Sequence, residues 1–195
     1  MKNKTDRLHR YKEAKTLLNE GRVEEAVAIY ASLYEEEGEA RAESAYSLAI
    51  IHETGFPKEL SESNRQKLAE MYYQAAFELN YEPAMLRLAS LYYRQGRFAD
   101  AYARYAHLAR HNPSAAYWAA RILDKMPRLV NEKSSQDYYH LAANMGHVYA
   151  RKHIAIQYLK GSFGFFGVLK GVALYIKLLP VVWSTVSEED KNKYT

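Results

Sequence analysis

The chain has 195 residues, 48% of them hydrophobic and 26% charged, with a formal net charge of +4. That length holds one compact domain or one short solenoid, and that composition excludes a disordered chain. The absence of cysteine excludes disulfides, thiolate zinc sites and a cysteine nucleophile together, and the slight basic excess compels neither nucleic acid nor membrane as a partner.

The N-terminal stretch MKNKTDRLHRYKEAK is polar and has no apolar h-region, so no secretory signal is expected there. With the lack of cysteine, this suggests a cytoplasmic chain, with peripheral placement at the inner face of a membrane as the alternative. Ala14, Leu18, Gly21, Ala26, Tyr30 and Leu33 then sit at helix-turn-helix spacing. Gly21 lies between two apolar-periodic stretches, where a left-handed residue closes one helix before the next opens. Val23, Ala26, Val27, Tyr30 and Leu33 or Tyr34 share one face of the second helix. The same pattern returns three times, in helices expected to end at Gly55, Gly96 and Gly161. The helix from Asp100 to Leu108 is expected to run up to Asn112-Pro113, where proline stops it.

Two further segments align without gaps. Tyr72 to Ala84 matches Tyr138 to Ala150, and Asn80 falls opposite Gly146. Both residue types tolerate the left-handed conformation that ends a helix. The loops 56–64 and 126–134 are the variable insertions, with Ser61 and Ser134 or Ser135 as candidate N-caps. An all-α chain of about five helix-turn-helix units follows, because no such unit buries its apolar face alone.

These units resemble two known repeat families. The first and third are similar to tetratricopeptide repeats. The second, fourth and fifth resemble Sel-like repeats, and Tyr138 to Gly161 fits that pattern most closely. The glycine usual after leucine is replaced by Ala49, Ala89, Ala120 and Ala155, and the usual tryptophan by Tyr72 and Tyr138. The resemblance covers residues 8–162. It implies an α/α helical-repeat solenoid over residues 1–162; the apolar run that follows is read from its own residues as a hydrophobic C-terminal helix, with a polar tail, over residues 163–195. It also implies a non-enzymatic scaffold or adaptor for protein–protein interaction, of the kind found in bacterial envelope, polysaccharide and secretion assemblies.

Chemistry-bearing patterns are sparse. His107 and His111 are the best-spaced histidine pair, yet no nearby carboxylate completes a metal site. His147 reads as structural, since it takes a position where the repeat consensus has histidine. Acidic residues are expected at exposed helical positions, as i,i+4 partners of Lys or Arg. Gly161, Gly164, Gly167 and Gly171 lie among Phe163, Phe165 and Phe166 with no preceding strand, which disfavours a phosphate cradle. No cofactor is expected. Arg87, Arg94, Arg97, Arg104, Arg110, Arg121 and Arg128 recur among tyrosines, a pattern that suits RNA. Carboxylates mixed among them dilute the charge, so nucleic acid is disfavoured.

Two surfaces remain. In this repeat class the first helix of each unit lines the concave side, which puts Tyr11, Lys15, Tyr46, Ile50, Tyr93, Arg94, Tyr117, Arg121, Lys125, Lys152 and Ile156 there. Tyrosine offers broad contact at low entropy cost, and Arg and Lys pair with carboxylates. The expected partner is another protein, bound through an extended acidic or aromatic segment, unless these tyrosines are inter-repeat core. The second surface is the segment FGFFGVLKGVALYIKLLPVVW, flanked by a stretch without Asp or Glu from Tyr138 to Ser187. Phe163, Phe165, Phe166, Lys170, Lys177 and Trp183 would there contact an anionic membrane surface or a partner protein, or the segment would cap the open end of the repeat stack.

Overall fold

The computed structural model of the chain describes residues 4–129, 134–161, 164 and 166–177. The fold is an all-α helical repeat, with no strand among the described residues. It divides into two compact units, Met1–Gln95 and Gly96–Thr195. The first contains α1 (Lys4–Asn19), α2 (Val23–Glu35), α3 (Ala40–Glu53), α4 (Glu62–Glu78) and α5 (Glu82–Arg94). The second contains α6 (Phe98–Leu108), α7 (Pro113–Lys125), a 3-10 turn (Pro127–Leu129), α8 (Ser135–Asn144), α9 (Val148–Leu159) and α10 (166–177).

Within the first unit each helix packs on its successor, and α1 also reaches α3. Its core joins Ala14, Leu17, Ala26, Tyr30, Leu48 and Ile51, with Tyr11, Tyr34, Phe56 and Tyr72 packed against the edge. In the second unit α6, α7, α8 and α9 follow the same sequential pairing. The residues that replace the consensus glycine do what their size suggests. Ala49, Ala89, Ala120 and Ala155 are all 0% exposed, because a methyl group is the largest side chain that such close helix approach leaves room for.

The punctuation follows local chemistry. Asn80 has φ 61° and Gly146 φ 96°, so the two aligned positions end α4 and α8 in the same left-handed way. Ser61 accepts from the Asn64 amide at 3.3 Å and caps α4. Of the two serines expected to cap α8, Ser134 does so, in a capping box with Asp137.

Two expectations are corrected. α6 stops at Leu108, well before Pro113. The proline instead occupies the first turn of α7, where its missing N–H costs nothing, behind Asn112, whose side chain accepts from Ala115 at 3.0 Å. His111 therefore lies beyond the helix that carries His107, and the helical i,i+4 relation between them is absent. The acidic residues also behave differently from the i,i+4 expectation. Glu36, at the end of α2, takes Arg10 at 2.6 Å and Arg7 at 3.5 Å from α1. The pairs Arg22–Glu25 and Arg97–Asp100 are i,i+3.

Candidate interaction surface

Each unit builds one polar lock behind its tyrosines. In the first, the Tyr73 hydroxyl donates to Glu53 at 2.5 Å, and Arg94 pairs with the other oxygen of the same carboxylate. In the second, the Tyr139 hydroxyl donates to Asp124 at 2.6 Å. Tyr73 and Tyr139 are both 0% exposed. Burial raises both phenols well above the usual tyrosine range, and the neighbouring carboxylate adds to the effect. A tyrosine of the first helix then leans on each lock. Tyr46 lies 5.8 Å from Tyr73, and Tyr117 lies 6.0 Å from Tyr139, ring centre to ring centre. Seven residues separate Tyr46 from Glu53, as seven separate Tyr117 from Asp124. That is two helical turns, so tyrosine and acid share a face.

The next ring differs between the units. Tyr81 packs on Tyr46 at 5.2 Å, whereas His147 stacks on Tyr117 at 4.4 Å. Arg87 interacts with Tyr46 in the first unit, which raises the guanidinium's pKa. The matching residue of the second, His153, stacks on Tyr139 at 3.7 Å. Burial lowers the pKa of His147, and burial is also the largest influence lowering His153, against an opposing pull from Asp124. His147 is neutral for a second reason: its Nδ1 caps α9 by accepting from the Ala150 amide at 3.3 Å.

An acid response at the aromatic cluster of the second unit is the expected result. Histidines with lowered folded pKa values stabilise fully above the unfolded value, about 6.5. That stability is lost as the pH falls from there through the folded values, because the unfolded chain binds protons that the folded chain refuses. Tyr81 and Arg87 do not titrate in this range. Amide-exchange protection, taken relative to the intrinsic rate at each pH, should therefore fall in α7–α9 between neutral pH and pH about 5, while the Tyr46–Glu53–Tyr73 cluster holds. The double change His147→Asn and His153→Phe should flatten the response. Unchanged protection in α7–α9 over this range would refute it.

The eleven groove residues predicted from the sequence fall into several settings, with Ile156 half-buried on α9. Tyr11 packs edge-on to Tyr30 at 5.5 Å and lies 3.4 Å from the Ser47 hydroxyl. It also lines a cavity of about 370 Å³ with Arg7, Gly38 and Glu43. Tyr46 is half-buried in the lock just described, with Ile50 half-buried one turn on and Tyr93 half-buried on α5. Arg94 is engaged by Glu53. Lys15 and Lys125 are exposed, the latter with its ammonium 5.5 Å from the Phe98 ring, and Lys152 is half-buried.

Tyr117 and Arg121 are brought together. The Arg121 guanidinium donates to the Tyr117 hydroxyl at 3.0 Å and lies 5.8 Å from both the Tyr117 and Trp118 rings. Tyr149, absent from the sequence-based set, completes this patch. It is 57% exposed, with its ring 6.3 Å from Tyr117 and 6.0 Å from His147. Glu53, Tyr73, Asp124 and Tyr139 were also missed, and the repeated seven-residue spacing from tyrosine to acid is the signal that could have found them. Of the C-terminal contact set, Phe166, Lys170 and Lys177 are exposed on α10. Phe163, Phe165 and Trp183 lie outside the described residues. Among the described residues no group of three or more His, Asp or Glu is placed to hold a metal ion.

No family model and no curated protein matches the sequence. Among solved structures, a Sel1 repeat protein from Oxalobacter formigenes matches with a TM-score of 0.64 and 19% identity, covering 87% of this chain and 69% of that one. The chain has the Sel1-like helical-repeat fold. Tyr139, His147, Tyr149 and His153 all lie on α8, α9 and the turn between them.

Proposed function

We propose that the chain is a helical-repeat scaffold that binds another protein rather than catalysing a reaction, and that the second unit contacts an extended acidic or aromatic segment of its partner. The observation that supports this most directly is the patch of Tyr117, Trp118, Arg121 and Tyr149, in which a guanidinium lies beside two rings and an exposed phenol flanks them. Tyr, Trp and Arg are the residue types that dominate binding energy at protein interfaces. A guanidinium held against rings loses little freedom on meeting a carboxylate. Tyr46, Tyr11 and Lys15 offer a similar but less cationic face in the first unit.

The test is a display screen of extended peptides against the full chain, followed by titration of the selected sequences. Acidic peptides carrying aromatic residues should be selected over basic ones. Tyr149→Ala with Arg121→Ala should weaken binding about tenfold or more, each truncation costing on the order of 1 kcal/mol or above, at unchanged helicity. Tyr149 is a better probe than Tyr117, whose ring also packs against Tyr139 and His147. Selection without regard to charge, or binding indifferent to the double change, would refute the reading.

A further inference from the structure

The last helix of the second unit faces the wrong way for a helix whose role is only to cap. Its buried residues are Gly167 and Gly171. A Cβ at Gly171 would lie 2.8 Å from the Leu159 amide nitrogen, 2.9 Å from Tyr158 Cβ and 3.1 Å from the Ala155 carbonyl oxygen. Glycine thus lets α10 lie backbone to backbone on α9, and the large side chains turn outward. Phe166 is 83% exposed, Leu169 53%, Val172 43% and Ile176 59%. At about 100° per residue these four, with Ala173, form a continuous apolar strip along the outer side of the helix.

The border of that strip is cationic. Lys170 and Lys177 stand two turns apart along one edge. Beyond them opens a cavity of about 520 Å³ lined by Lys170, Lys177, Arg151, His140, Tyr158 and Ile154, among others. Lys170 places its ammonium over the Tyr158 ring, 5.0 Å from its centre and 3.4 Å from its hydroxyl, so an aromatic surface holds this charge at the border of the strip. No carboxylate side chain lies between Tyr138 and Ser187 to neutralise these charges.

We propose that this face docks on an anionic lipid bilayer. α10 would lie in the interface plane with Phe166, Leu169, Val172 and Ile176 at the acyl boundary, and with Lys170, Lys177, Arg151 and His140 at the level of the lipid phosphates. An apolar strip bordered by lysine and tyrosine is the arrangement that partitions into such an interface, and an acid-free rim is attracted to anionic headgroups. The opposite side of α10 is held on α9 at Gly171, so the helix would lie along the membrane surface, and among the described residues no helix is long and apolar enough to span. A second copy is the poorer occupant, because an isologous contact would bring two copies of the same cationic, acid-free rim into one interface. This surface shares no residue with the aromatic patch of the proposed scaffold, so the two readings fail separately.

Co-sedimentation of the full chain with vesicles tests it. The chain should sediment with phosphatidylcholine vesicles containing a minority of phosphatidylglycerol, remain in solution with phosphatidylcholine alone, and release as salt rises from about 0.1 M to about 0.5 M. Leu169→Glu with Ile176→Glu should abolish sedimentation, and Lys170→Ala with Lys177→Ala should weaken it about twenty-five-fold, roughly fivefold for each lysine. The lysine pair is exposed at the helix border and keeps the test decisive should the glutamates loosen α10. Failure of the unaltered chain to sediment with the anionic vesicles would overturn the proposal. So would sedimentation unchanged in both variants, or a solution dimer that Leu169→Glu with Ile176→Glu converts to monomer.

Discussion

Tyr73→Ala and Tyr139→Ala should each destabilise their own unit by about 3–5 kcal/mol, the range for deleting a large buried aromatic. Both rings are 0% exposed, and both join the second helix of a hairpin to an acid at the end of the first. The alanine changes remove packing and hydrogen bond together, and phenylalanine separates them. Tyr73→Phe leaves Glu53, whose side chain is only 13% exposed, with one charge-assisted donor fewer. It should cost about 1.5–3 kcal/mol. Asp124 is exposed, so water replaces the phenol there, and Tyr139→Phe should cost less than about 1 kcal/mol. Denaturant unfolding with amide exchange resolved by helix measures both. Equal costs for the two phenylalanine variants would show that burial of the acceptor does not set the difference.

Ala120→Leu should cost about 1–3 kcal/mol or more through overpacking, while Ala120→Gly should cost no more than about 1 kcal/mol, the difference in helix propensity. The asymmetry arises because Ala120 is sealed at a helix contact with Ala116 and Ala119 equally buried on its own helix. Extra carbon there must push α7 off its neighbours, whereas a missing methyl leaves a void smaller than water. Thermal melts followed by circular dichroism rank the three chains. A leucine variant as stable as the glycine one would mean that the contact yields, and that the small residue is not needed for approach.

Much of this architecture can be read from local chemistry. The gapless match of Tyr72–Ala84 with Tyr138–Ala150 pairs Tyr73 with Tyr139 and Asn80 with Gly146, and both pairs are equivalent in space and in backbone conformation. Ser61 and Ser134 cap helices because a short hydroxyl before a helical run has one favourable partner, the amide three residues on. Contacts between helices were less legible. Helical periodicity assigns Tyr46 and Tyr117 to a face, but it does not say whether their rings meet a partner or the next hairpin, and here each has one side on a buried tyrosine. Glu53 reads as a surface acid until Tyr73, twenty residues on, arrives to meet it.

The C-terminal helix defeated the usual rule that large apolar residues point inward. Its glycines carry no hydrophobic signal, yet Gly171 is what lets the helix sit close to α9. The outward strip follows from that contact and not from the pattern itself.

The capping serine at the head of α4 has a practical consequence. Because Ser61 satisfies the first turn from within, the start of that helix does not depend on how many residues precede it. Lys58 and Glu59 are exposed at the tip of the turn that the Leu60 amide closes on the Pro57 carbonyl, so an insertion opens that one hydrogen bond, and each doubling of a flexible loop's length costs only about 0.6 kcal/mol of closure entropy. An epitope or a fluorescent reporter could be spliced between them, giving a handle on the living protein far along the chain from both of its proposed contact faces.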